Sequence, residues 1–200
     1  SAFDTNQLAP DFEMSLKGEE LNFQTGLDAL SKIAKTYLNI SVQQNAEPLV
    51  NAKNVVVTAF EGPHPAGNVG VQINHIAPVN KGEVVWTLNA QAVIYIGRLM
   101  NNGHVDFTHP VALTGSEVLK PAYCHLKVGA RLSEVFKDRV TEGKDLRFIS
   151  GNVLTGRKTS VDGYLGAYDS QLTVIPEGDE VHEEFGWIAP RLNDFSMSHS

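Results

Sequence analysis

A chain of 200 residues with 42% hydrophobic and 20% charged residues has the make-up of an ordinary globular protein, long enough to bury a sizeable core. A net charge of −7, with Lys and Arg scattered, excludes a nucleic-acid binder, which needs a basic surface against phosphates. The longest apolar runs, such as residues 92–96, fall far short of the roughly 20 residues of a membrane helix, and the one cysteine, Cys124, cannot close an internal disulfide.

In chain order, residues 21–34 place Leu21, Leu27, Leu30 and Ile33 near helical spacing, and residues 37–42 alternate as a strand. A second strand is expected over 54–60. Directly after it, three glycines and two prolines (Gly62, Pro63, His64, Pro65, Gly67, Gly70) read as the opening of a helix that runs to about Ile76. That is where an α/β sheet usually places its ligand, since a helix N-terminus offers free N–H groups to an anion. Pro63 and Pro65 have no N–H, so the motif reads as a nucleotide site stiffened rather than used. Residues 89–100 predict a further helix, stopped by Asn101, Asn102 and Gly103. The expected architecture is α/β, with helices on the faces of a parallel sheet. Asp4, Thr5 and Asn6 are expected at the carboxyl end of a strand, facing the same crevice as Gly62.

After Gly103 the pattern changes. Strands are expected at 105–113, 123–128, 146–150 and 171–175, with a short helix at 130–136 that puts Leu132, Val135 and Phe136 on one face. Strand, strand, helix, strand, strand is the order of a small β-grasp module. The expected divisions are 1–103 for the α/β part, 104–176 for the β-grasp part and 177–200 for an extended tail. The segment around Glu177, Gly178, Asp179 and Glu180 reads as a solvated acidic turn.

Several short motifs compete with plainer readings. Residues 151–159 nearly match a phosphate-binding P-loop, but Arg157 displaces the lysine and glycines follow where a helix is required, so a β-turn is expected. His182, Glu183 and Glu184 begin like a zinc-protease motif, yet Trp187 falls near where a second histidine is needed, and a surface segment is expected. Cys124 and His125 point to opposite faces of a strand, which suits a core cysteine beside an exposed histidine. His64, held between two prolines, is a candidate for aiming at a ligand or partner, or for capping the crevice. His75 reads as satisfying helix-terminal carbonyls, and His104 and His109 read as surface. No catalytic triad or paired carboxylate stands out, there is no G-x-G-x-x-G, and one cysteine cannot hold an iron–sulfur cluster.

The run 62–76, GPHPAGNVGVQINHI, with Ala2 to Asn6 before it and Trp86 to Asn89 and Val93 to Gly97 after it, resembles the NqrA family, the A subunits of the bacterial sodium-translocating NADH:quinone oxidoreductase. Further matches at 149–156, 164–166, 185–187 and 195–196 carry the resemblance over nearly the whole chain, which looks like a middle piece of such a protein. Gln7 stands where the family usually has proline, and Ala90 where it has tyrosine.

The resemblance implies a partial Rossmann-like sheet related to the flavin-binding fold of respiratory complex I, followed by a β-grasp domain of the soluble-ligand-binding type. It implies a peripheral component on the cytoplasmic face of the bacterial inner membrane, in a complex that oxidises NADH, reduces ubiquinone and exports sodium. Flavins and an iron–sulfur cluster belong to other subunits, and the membrane-embedded B subunit is the implied partner, with ubiquinone a further candidate. Asp4, Asn6, Gly62, His64, Gly67 and Gly70 would line a remnant crevice, none of them identified as catalytic. The competing readings are a domain that still binds flavin or NADH there, and a stand-alone β-grasp ligand-binding module.

Overall fold

The computed structural model describes residues 1–178; the motif at His182, Trp187 and most of the expected tail lie outside the described residues. The first part runs α1 (Phe12–Leu16), α2 (Glu20–Ser31), β1 (Tyr37–Ser41), α3 (Glu47–Val50), β2 (Val56–Phe60), α4 (Val69–Ile76) and α5 (Ala90–Asn102). The second runs β3 (Thr108–Thr114), β4 (Ala122–Lys127), α6 (Ser133–Phe136), β5 (Leu146–Ser150), β6 (Arg157–Thr159) and β7 (Gln171–Pro176).

β1 and β2 pair in parallel, Tyr37 opposite Val56 through Ser41 opposite Phe60. Leu38 and Ile40 alternate onto one face and enter a core with Leu16, Phe23, Leu27, Leu49 and Ile94. Each such side chain contributes about 1.5–3 kcal/mol when fully buried. α5 forms because Asn89 caps it, its Oδ1 accepting from the Ala92 N–H at 2.8 Å, and Ala90, Val93, Ile94 and Gly97 recur on one buried stripe. Gly103 ends it at φ 74°, in the left-handed region that favours glycine.

On α2 the buried face is Phe23, Gly26 and Leu27, whereas Leu21 and Ile33 are 75% and 82% exposed. The expected apolar row is therefore corrected in part. Six residues advance a helix by roughly 600°, which leaves Leu21 about a third of a turn away from Leu27. Ile33 lies beyond the helix end.

The second sheet has the order β4-β3-β7-β5-β6, with β3 and β7 parallel and the other pairs antiparallel. Val111, Leu113, Leu172 and Val174 form one face of its core against Leu132, Val135 and Phe136, as the short-helix spacing predicts. α6 itself is shorter than expected because Arg131 bridges Tyr164 and Leu132 donates to the Gly163 carbonyl, drawing the segment before it into loop pairing. The near P-loop is a turn: Asn152 Oδ1 accepts from the Leu154 and Thr155 N–H groups, and the chain continues into β6, a strand that the sequence pattern does not predict. Among the described residues, no helix is long and apolar enough to cross a membrane.

Two readings of the loops are corrected. The helix after the glycine-rich segment begins at Val69, with Asn68 as its N-cap, so Pro63 and Pro65 lie in the preceding loop and not in a first helical turn. Their carbonyls accept from Ala66 and Asn68, winding residues 62–68 into successive turns before the helix can start. Nor is the acidic turn wholly solvated: Glu177 pairs with both Arg147 and Lys158.

Candidate functional site

The crevice is built where residues 1–6 leave the first sheet. Ala2 donates to the Asn39 carbonyl at 2.8 Å, which holds this segment against β1 and carries Asp4 to the carboxyl edge of the sheet. There Asp4 Oδ1 accepts from both the backbone N–H and the side-chain amide of Asn6, each at 2.8 Å, so its carboxylate shapes its own turn. Thr5 turns the other way. Its hydroxyl oxygen accepts from the Gly67 N–H at 2.9 Å and lies 3.3 Å from His64 Nδ1.

Gly67 is required at this contact, because a Cβ there would overlap the Thr5 backbone nitrogen. Gly62 has φ 139°, also a conformation that side chains avoid. Gly70 faces open space on α4 and makes no such demand. His64 is exposed, and His75 is exposed in the last turn of α4.

A depression of about 240 Å³ is lined by Asp4, Asn6, Gly67, Asn68, Thr87 and Asn89, among others, at the N-terminal ends of both α4 and α5. The structure thus brings together three of the six expected crevice residues and leaves Gly62, His64 and Gly70 outside this lining. Asn68 and Asn89 join the lining unannounced, and Thr5, expected to face the crevice, instead bonds Gly67 about 60 residues away, a pairing that leaves no periodic signal.

Of the two helix N-termini on this wall, the one at α4 carries no side-chain cap, whereas the one at α5 is poorly suited to a flavin phosphate. Two helix N-termini would attract an anion, but at α5 the Ala92 N–H is already held by Asn89 and the Ala90 N–H by the Ser1 carbonyl. Asp4 adds a carboxylate to the same wall, the charge a phosphate would have to approach.

His109 is not on the surface. It is 3% exposed, with Nδ1 2.8 Å from the Tyr95 hydroxyl and Nε2 3.1 Å from the Asp169 carbonyl. Beside it, Arg98 pairs with Glu19 at 2.7 Å and donates to the Asp106 and Thr108 carbonyls, joining α2, α5 and the entry to β3. The Arg98 side chain holds Glu19 below the usual carboxylate range, and burial pushes the Tyr95 phenol up to about 12. This is a structural seam with no free nucleophile. Cys124 is partly buried beside an exposed His125, as the strand alternation predicts, and accepts from Arg139. No cluster of three or more His, Cys, Asp or Glu that could hold a metal occurs among the described residues.

Comparison with known proteins decides the family. A family model described as the NqrA second alpha/beta domain matches residues 1–105, and one described as the NQRA C-terminal domain matches residues 110–161. The chain belongs to the NqrA family. The A subunit of the Na(+)-translocating NADH-quinone reductase from Neisseria meningitidis serogroup A is 38% identical over all of this chain. The proteins of the same name from Glaesserella parasuis and Haemophilus influenzae are 40% and 37% identical, again over the whole chain. In each case the chain spans 45% of the relative's length.

Proposed function

We propose that this NqrA-family chain serves as a scaffold and docking piece in a sodium-exporting complex that passes electrons from NADH to ubiquinone, and that it carries no redox centre of its own. Likeness over the whole of this chain, and 45% of the relatives' length, to proteins named as the A subunit of the Na(+)-translocating NADH-quinone reductase supports the setting. The observation that carries the docking role is the crevice. Thr5 and Gly67 close against each other, Asp4 is committed to Asn6, and exposed His64 projects from the loop between them.

On this reading residues 1–103 are a reduced Rossmann-like unit and 104–176 a β-grasp unit. The second sheet, in which the parallel pair β3–β7 lies between β4 and β5, supports the β-grasp assignment. The unit docks on neighbouring subunits, including a membrane-embedded one, at the cytoplasmic face of the inner membrane. Flavin, iron–sulfur and nicotinamide chemistry belongs to those neighbours, since ordinary side chains do not carry electrons.

The visible spectrum of the purified chain tests the reading. We expect no absorbance at about 450 nm, where a flavin absorbs. Stoichiometric flavin colour retained through gel filtration would overturn it and favour the flavin-binding alternative.

A further inference from the structure

Residues 84–88 form an apolar ridge without a partner. Val84 is 78% exposed, Val85 47%, Trp86 91% and Leu88 43%, directly before a capped helix. An extended apolar segment leading into a helix is the pattern of a buried strand in an α/β sheet, yet here its backbone is laddered at one end only.

That end shows what covers the rest. The Ser1 nitrogen donates to the Leu88 carbonyl at 3.0 Å, and the Ser1 carbonyl accepts from Ala90 at 3.1 Å. One residue bonded to positions two apart on its neighbour is the signature of a parallel ladder, with Ser1 opposite Asn89. On its other side the same segment bonds β1, through Ala2 to Asn39. Residues 1–2 are therefore a strand lying between the ridge and β1. Burial pushes the Ser1 amino group down to about 6, the behaviour of a strand interior in which a charge is poorly accommodated.

We infer that residues 84–88 are the outer strand of the first sheet, and that its occupant is the polypeptide leading into Ser1 in a protein of the relatives' length. In a parallel ladder that segment runs back beside Leu88, Thr87, Trp86, Val85 and Val84, so about five residues, roughly 17 Å of strand, cover the ridge. The sheet order becomes ridge, upstream strand, β1, β2. A second copy of the chain is less well matched, because its strand would have to enter at a point already held by Ser1 on both sides. The Val84 and Trp86 backbone groups, in phase with Leu88 and Ala90, face the upstream strand.

The test compares the 200-residue chain with the full-length protein, both carrying Trp187→Phe and the full-length protein also carrying Phe for any tryptophan outside these 200 residues, so that Trp86 reports alone. In the full-length protein we expect acrylamide quenching of Trp86 to fall about threefold and amide exchange over 84–88 to slow by at least about 100-fold, as for a sheet interior. Val84→Pro, which deletes a ladder donor, should lower the melting temperature of the full-length protein while leaving the 200-residue chain nearly unchanged. Equal quenching and exchange in the two proteins would overturn the inference. So would protection of the 200-residue chain that rises with its concentration, which marks a second copy, or protection of the full-length protein that arises only with the other subunits present. If Val84→Pro fails to fold, the comparison without it still decides.

Discussion

Gly97 on α5 lies so close to Asn22 on α2 that a methyl group on its Cα would overlap the Asn22 carbonyl. The contact is reciprocal one turn away, where Gly26 on α2 meets the Val93 carbonyl of α5. Two glycines thus let the helices approach backbone to backbone, and everything between Phe23 and Ile94 is packed at that spacing.

Gly97→Ala should accordingly destabilise the chain by roughly 1–3 kcal/mol, because a close-packed contact admits no added carbon without moving both helices. Gly70→Ala is the control: its surroundings are open, so alanine should be neutral or stabilising by about 0.5 kcal/mol through helix propensity. Urea unfolding of both variants measures this, and a Gly97→Ala chain as stable as the parent would show that the helices are not held at this distance.

Arg98→Ala should cost about 1.5–3 kcal/mol, since it strands Glu19 and leaves the Asp106 and Thr108 carbonyls without their donor. Lysine should restore little, because a single ammonium cannot reach the carboxylate and both carbonyls in the geometry of a guanidinium fork. Thermal melts of Arg98→Ala and Arg98→Lys decide; full rescue by lysine would mean that charge alone is needed.

His64→Ala should leave the melting temperature nearly unchanged, as the ring is exposed and its hydrogen bond is a long one, 3.3 Å, to the Thr5 hydroxyl. In the assembled complex the same variant should weaken association or lower quinone reduction, since a residue presented by a proline-stiffened loop is ordered at little entropic cost on binding. A variant that melts several degrees lower but assembles and turns over normally would make the loop structural.

The Ser1 amino group makes the stability of the 200-residue chain depend on pH. Its value falls from 8.0 to about 6 on folding, so between those pH values the unfolded chain holds a proton that the folded chain does not. Stability should therefore drop as pH is lowered from 8 to 6 by about 1–2 kcal/mol and level off below, and acetylating the terminus should remove this component. Urea unfolding at a series of pH values, with and without acetylation, measures it; identical slopes would show that the amine is solvated.

Glu177 works in the opposite sense and lower on the scale. Hydrogen bonds from Arg147 and Lys158 hold its carboxyl down to about 2, from an ordinary 4.5, so its contribution is complete above pH 4.5 and lost as pH falls through 2. Glu177→Gln should flatten the fall of the melting temperature over that acid range, and an unchanged acid profile would place the pair in open solvent.

Much of the local structure is legible because it follows from neighbouring residues. Gly103 ends α5 as expected, although the helix runs on through Asn101 and Asn102, β5 falls at its expected residues, and Leu132, Val135 and Phe136 share a buried face. The near P-loop fails for the same reason, since a phosphate loop needs a following helix and none forms. The family, too, is readable in the residues around Gly62 and Trp86, and the family model over residues 1–105 with the 38% identity across this chain bears that out.

What lies beyond the sequence depends on pairs far apart in it. His109 carries no mark that distinguishes a surface imidazole from one clasped by Tyr95 and Asp169, because burial is decided by which elements meet. Pro63 and Pro65 suggest a helix start, yet successive turns delay it to Val69, and the space beside Gly67 is taken by Thr5. The sequence by itself determined the family, most elements and their caps, since these rest on interactions within a few residues. Only the tertiary structure decided that Thr5 closes against Gly67 and that residues 84–88 stand as an open edge, because both follow from hydrogen bonds spanning from about 60 to nearly 90 positions of chain.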